Sequence, residues 1–341
     1  MNFCTLFNSA YLSRGLAMYN SLMATNASFH LYIYAFDDEC CKYFKLKNYK
    51  NITVISLPEF ENENLLSVKN KRSAAEYCWT CTPSVIDHAI HNYDLEECTY
   101  IDADLYFYSD PQVLLDEMST DSVLITEHRY TKEYDQTELS GKYCVQFICF
   151  KNNPTGLRVL HWWRDACIDW CFARHEEGKF GDQKYLDNWP EMFDGICILQ
   201  HLGGGVAPWN AQQYEFFIKD KFFGVEIKTR KKFELIFFHF HAIKFFKNDI
   251  ISFSIYKKSK NLIRLLYKPY VKRLLYVGNE IKEEFAQVEP HGIVDFTPSD
   301  PMTIKLVIQF YLQDIKSSIK NMVGINLRNR INKHPYYKID K

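Results

Sequence analysis

The stretch Cys98-Thr99-Tyr100-Ile101-Asp102-Ala103-Asp104-Leu105-Tyr106-Phe107 decides how the chain is read. Residues 98–101 are apolar or β-prone and predict a short buried strand, which delivers Asp102 and Asp104 to its end. Two carboxylates at such an exit can hold a hard divalent cation against a diphosphate, where the ion neutralises charge on a leaving nucleotide. Taken alone, the same pair also serves as a surface pair or a helix cap.

Working outward, residues 3–7 predict a buried strand, 8–11 a loop and 13–22 a helix. Further strands are expected at 30–36, ending at Asp37-Asp38, and at 52–57, ending before Pro58. A helix follows over 73–93 with an interruption at Pro83. Strands at 122–126 and 143–150 precede a turn at Asn152-Asn153-Pro154 and a helix over 155–174, whose Trp162, Trp163 and Trp170 read as packing groups. Gly181-Asp182-Gln183 opens a short helix, Gly203-Gly204-Gly205 a tight turn, and 233–240 a last core strand. Strands alternating with helices predict an α/β fold whose ligands gather beyond the strand C-termini.

The chain has 341 residues, enough to bury a large core without staples. Its 41 basic and 42 acidic residues leave a net charge of −1, so no whole-molecule field attracts nucleic acid. The 26 Phe and 23 Tyr suit a filled core or stacking surfaces equally. The 11 cysteines lack repeated metal-site spacing and read as buried thiols of a reducing, cytoplasmic compartment; Cys78 and Cys81 form a lone CxxC to which no zinc is assigned. The first residues lack a signal-peptide pattern, and no apolar run is long enough to span a bilayer.

In context, Tyr100-Ile101-Asp102-Ala103-Asp104-Leu105-Tyr106-Phe107 resembles the metal motif of the glycosyltransferase A fold. Thr5-Leu6-Phe7-Asn8-Ser9-Ala10-Tyr11, with the helix through Gly15 and Leu22, is similar to the nucleotide-binding opening of the glycogenin-like and bacterial galactosyltransferase-like families (glycosyltransferase family 8). The resemblance spans roughly residues 3–245. It implies a mixed sheet flanked by helices, followed here by a helical C-terminal extension, with domains at 1–250 and 251–341. It also implies metal-dependent transfer of a hexose, with retention, from a UDP-sugar to a glycan or lipid-linked glycan. Manganese is the first choice of metal and magnesium the second.

By that resemblance Thr5, Asn8 and Tyr11 border the nucleotide, Tyr11 at the base, with Asp37 or Asp38 offered to the base or ribose. Lys69 and Arg72 supply a cation to the donor, Arg72 preferred for its fork. Asp102, Ala103 and Asp104 form the metal turn. A late metal-binding His points to His239-Phe240-His241, where strand alternation puts both imidazoles on one face; His241, nearer the strand exit, is favoured. The usual His-x-x-Gly followed by Lys-Pro-Trp is absent as a unit. Lys244 is a candidate diphosphate clamp. Asp182 and Gln183 resemble the Asp-Gln block that reaches the reacting sugar; an N-cap is the bland use of Asp182. Gln146, in Cys144-Val145-Gln146-Phe147, stands where relatives carry an amide and is grouped with Asp182 as catalytic. Gly203–Trp209 is either a sugar edge or a structural turn anchored by Trp209.

Two other readings compete. A nucleotide-sugar pyrophosphorylase should carry a glycine-rich basic loop after the first strand, where this chain has Asn8-Ser9-Ala10-Tyr11. A catalytically silent carbohydrate-binding relative would lack turnover. Beyond residue 250, Lys and Arg flank a stripe of Leu262, Ile263, Leu265, Leu266, Tyr270 and Leu274, divided at Pro269. Such a stripe fits either an anionic membrane surface or a protein surface, the latter being the catalytic domain or a second subunit.

Overall fold

The computed structural model describes residues 1–247 and 250–295, and the backbone alone of 336–338. The strands in chain order are β1 (Asn2–Phe7), β2 (His30–Ala35), β3 (Ile52–Ser56), β4 (Glu97–Ile101), β5 (Leu105–Phe107), β6 (Val123–Glu127) and β7 (Tyr143–Lys151). They continue as β8 (Ile196–Ile198), β9 (Tyr214–Ile218), β10 (Phe222–Glu226), β11 (Lys232–Glu234), β12 (Phe237–His239), β13 (Lys244–Phe246) and β14 (Ile250–Ser252). Seven of them form the central mixed sheet in the order β3-β2-β1-β4-β7-β6-β8.

β1 pairs in parallel with β2 on one side and β4 on the other. The chain therefore runs outward through β2 and β3, then returns to lay β4 against β1, so the order reverses between them. That reversal opens a crevice beyond the two strand ends, where Asn8 and Asp102 emerge. β1 is buried on both faces, and its alternate residues enter different cores. Phe3 and Phe7 pack with Leu12 and Leu16 of the Leu12–Ala24 helix. Cys4 and Leu6 pack with Val85 and Trp163, from the Ala74–Asn92 and Pro154–Asp169 helices.

Several elements differ from the sequence expectation. The Ala74–Asn92 helix runs unbroken through Pro83, because residues 80–86 are all buried and that packing offsets one missing hydrogen bond. The helix expected over 155–174 ends at Asp169, where Trp170 turns to an extended backbone. The single strand expected over 233–240 is two short strands outside the central sheet: β11 joins β9 and β10, while β12 pairs antiparallel with β5.

The region after 250 is not a separate layer. Lys260–Leu262, a π turn at Ile263–Tyr267 and the Lys268–Glu284 helix follow one another without a break in helical backbone, with Pro269 two residues past the π turn. Leu262, Leu266, Tyr267, Tyr270, Val271 and Leu274 share a core with Phe238, Phe240, Phe245 and Phe253. Val277 and Ile281 join the core of the Leu12–Ala24 helix. The stripe that suited a membrane is thus covered by the chain itself, and residues 251–285 belong to the same packed body as the sheet. Apart from the backbone of 336–338, the part of the expected extension beyond residue 295 lies outside the described residues. Among the described residues no helix is long and apolar enough to cross a membrane.

Candidate functional site

After β4 the chain turns tightly. Leu105 N–H donates to the Asp102 carbonyl at 3.2 Å, and Asp102 N–H to the Gln146 carbonyl of β7 at 3.1 Å. β5 then receives β12 in a register that sets His239 opposite Leu105. This pairing joins residues far apart in sequence and drives one imidazole into the carboxylate turn. His239 Nε2 stands 3.0 Å from Asp104 Oδ1 and 3.7 Å from Asp102 Oδ2. His239 Nδ1 meets Gln146 Oε1 at 2.7 Å, so the amide oxygen accepts there and leaves Nε2 facing the carboxylates. Gln146 is fully buried, and its Nε2 has no hydrogen-bond partner among the described residues.

The electrostatics follow from burial. Desolvation raises Asp102 to about 6, against the pull of His239. Burial also opposes ionisation of Asp104, but the charge and hydrogen bond of His239 outweigh it and hold this carboxyl below its usual range. Burial would lower His239, yet the charge and hydrogen bond of Asp104 outweigh it and push the imidazole up. Two carboxylates and an imidazole at these separations form a donor set that fits a divalent cation. Asp104, His239 and His241 offer one ligand atom each within 4.8 Å of one another. His241, the ligand favoured from sequence, is exposed, whereas His239 is buried at 4 % exposure between the carboxylates and Gln146. Ala242 follows at φ +61°, a left-handed backbone that turns the chain out of the site after the two histidines.

Asp182 is buried, and desolvation with the nearby charge of Asp102 raises it to about 7. It does not cap the short helical turn Lys184–Asn188. Its backbone is fixed by Trp163 Nε1, which donates to the Asp182 carbonyl at 2.8 Å. The Gln183 amide donates to the Ser140 carbonyl at 2.8 Å. At the other lip, Asn8 is exposed, Tyr11 is 42 % exposed, and Thr5 Oγ1 is buried with no hydrogen-bond partner among the described residues. Asp37 uses both oxygens on the chain's own donors: Oδ2 takes Ser9 N–H and Oγ–H, and Oδ1 takes Cys40 N–H. It therefore shapes the 8–11 loop and caps the next helix.

Lys69 and Arg72 are not brought to the carboxylates. Lys69 pairs with Glu61 at 2.6 Å, and Arg72 donates to the Ile168 and Asp169 carbonyls while stacking at 3.8 Å on Phe172. The fork that recommended Arg72 is occupied by the C-terminus of a helix. Lys244 begins β13 on the exposed side. Trp209 is 4 % exposed, donates to the His128 carbonyl at 2.9 Å and meets the rings of His239 and His241 edge-on at 5.4 and 5.5 Å. It anchors the turn beside the histidines. That turn needs glycine at Gly205, which has φ +86° and where a Cβ would stand 2.6 Å from Thr126 Cγ2.

The sequence reading missed Arg14. This guanidinium is 3 % exposed, lies 4.4 Å over the Tyr11 ring and donates to the carbonyls of His291 and Ile243 at 2.9 Å. Its charge reaches Asp104. Its position three residues after Tyr11, on the same helix face, was the available signal. His128, buried and stacked on Tyr130 at 4.5 Å, was also missed and carries no motif.

No family model matches the chain. YfnD of Bacillus subtilis (strain 168), uncharacterised, is 28 % identical over 293 residues, covering 83 % of this chain and 92 % of that protein. YfnF of the same organism, also uncharacterised, is 32 % identical over 250 residues, covering 71 % of this chain and 81 % of that protein. Among solved structures, the galactosyltransferase LgtC in complex with donor and acceptor sugar analogues is similar at TM-score 0.51 and 10 % identity, over 81 % of this chain and 96 % of that one. The chain therefore belongs to the family of YfnF and has the glycosyltransferase A fold.

Proposed function

We propose that this protein is a metal-dependent glycosyltransferase that moves a hexose from a UDP-sugar to a glycan or lipid-linked glycan, with retention at the anomeric carbon. The observation that carries the reading is the β5–β12 pairing, which sets His239 against Asp102 and Asp104 at the crevice where the strand order reverses. Asp102, Asp104 and His239 would hold the ion, with manganese the preferred choice. When bound, the ion neutralises the diphosphate of the donor and of the departing nucleotide.

The chain's own residues do the rest. Tyr11, with Arg14 on its ring, offers a flat exposed face to the base, and Asn8 and Thr5 lie along the same strand exit. Asp182, held by Trp163, orients donor hydroxyls and stabilises positive character at the anomeric carbon in its ionised form. Gln146 positions His239 by fixing its tautomer. Lys244 is assigned to the diphosphate by its place just past the histidines. Asp37 acts through the loop it shapes, and Gln183 through its bond to the Ser140 carbonyl. Lys69 and Arg72 are given no donor contact.

The test is a panel of intact nucleotide sugars with manganese, reading thermal protection and donor hydrolysis. A ligand selective for the folded chain should raise its unfolding temperature. UDP-hexoses are expected to protect and to turn over slowly without acceptor; a folded, metal-supplied protein that responds to no diphosphate donor would refute the function. Anomeric NMR of the product decides retention, and an inverted product would overturn that part.

A further inference from the structure

We propose that the protein carries a second metal site, unrelated to the carboxylate turn, in which Asp87, His91 and His161 bind a divalent transition ion of the zinc type. Asp87 and His91 lie four residues apart on one face of the Ala74–Asn92 helix, and His161 faces them from the Pro154–Asp169 helix. Asp87 Oδ1 is 3.1 Å from His91 Nδ1 and 3.0 Å from His161 Nε2, and the same Nδ1 meets the Asp87 carbonyl at 2.9 Å, a hydrogen bond that ion binding would replace. Donors bound at about 2.0–2.2 Å, at angles between square and tetrahedral, stand roughly 3 Å apart, so these separations match edges of a coordination shell. The two imidazoles lie nearly parallel, 22° between planes with centroids 6.0 Å apart, leaving room for one ion at their edge.

The surroundings resemble a built shell. Arg164 Nη1 holds Asp87 Oδ2 at 2.8 Å, which orients the carboxylate and leaves Oδ1 to the imidazoles. Asp87, His91 and Arg164 also line a cavity of about 320 Å³, giving water access to the ion's remaining positions. Ser84 lines the same cavity at 6 % exposure, and its Oγ has no hydrogen-bond partner among the described residues. Two imidazoles and one carboxylate select zinc, nickel or copper over manganese or magnesium. The ion would tie together the two helices that carry Trp163, which holds the Asp182 backbone, and Trp79, which packs on Gly181. The site therefore serves stability and leaves the reaction itself untouched.

The experiment titrates zinc chloride into the full-length chain, the D102N/D104N variant and the same variant carrying H91A and H161A, each checked for folding by circular dichroism. The D102N/D104N protein should retain about one zinc ion, raise its unfolding temperature on binding, and lose affinity by about a hundredfold or more when the two histidines go. Manganese should produce no such stabilisation there. If D102N/D104N does not fold, the comparison is made in the native sequence, where H91A/H161A should bind about one zinc fewer and keep its manganese response. Equal zinc binding with and without His91 and His161 would overturn the site, as would a folded D102N/D104N protein that binds no zinc.

Discussion

Asp104 and Asp87 each face an imidazole nitrogen at 3.0 Å, yet the two contacts differ in everything around them. Asp104 and His239 are buried, with Gln146 behind the ring and Arg14 near enough for its charge to be felt. His161 and His91 have side chains 40 % and 50 % exposed, and Asp87 is balanced by Arg164 at the surface. In the first place water is excluded and each charge acts strongly on the next; in the second, solvent screens the pair. The same two residue types therefore stand in a water-excluded cluster in one place and a solvent-screened one in the other.

The sharpest way to break the contrast is at the buried carboxylates. Asp104→Asn, and separately Asp102→Asn, should leave the fold intact and reduce kcat/KM on the order of a thousandfold, with loss of manganese-dependent donor binding. Steady-state kinetics and a thermal-shift titration check this, and normal values in both variants would remove the turn from the reaction. His239→Ala should then cost far more manganese affinity than His241→Ala. The reverse order would return the ligand to His241.

Buried imidazoles should also show in the acid stability. His291 is 6 % exposed, stacks on Phe245 at 4.5 Å and shares a hydrogen bond with Ser13, and burial lowers it to about 4. Because its folded value lies below the unfolded value near 6.5, the unfolded chain binds more protons in between. This contribution is fully present above about pH 6.5, falls by about 1.4 kcal/mol per unit as pH drops, and is gone below pH 4. Denaturant melts of the native chain and His291→Asn should therefore diverge in slope across that window; parallel profiles would show that His291 does not titrate there.

A smaller effect is expected one shell out. Gln146→Met should weaken manganese binding by about tenfold while leaving transfer measurable at saturating metal, as befits a group that only positions His239. A loss that saturating manganese does not rescue would instead place the amide in the reaction. Smallest of all, His161→Ala should leave transferase kinetics unchanged, since the ring meets Asp87 and His91 on the outer helices; a fall in kcat would couple those helices to Asp182.

What could be read from sequence was local. The strand carrying Asp102 and Asp104, the loop at Asn8–Tyr11 and the strands flanking them follow from short apolar runs and their punctuation, and they resemble the glycosyltransferase A pattern in the right order. Asp102 and Asp104 at the mouth of the crevice needed no more than that. Which histidine turns inward could not be read this way, because alternation puts His239 and His241 on one face. When β12 pairs with β5, a contact between residues more than a hundred apart in sequence, His239 is buried beside the carboxylates while His241 stays exposed within 4.8 Å of Asp104 and His239. Tertiary packing also put Gln146 against His239, Lys69 against Glu61 and Arg72 against the end of the Pro154–Asp169 helix. The stripe after residue 260 shows the same limit: periodicity records that a helix has an apolar side, whereas only packing onto Phe238, Phe240 and Phe245 determines what covers it. Sequence specifies which groups must be buried or paired, and the long-range contacts of the folded chain select the partners.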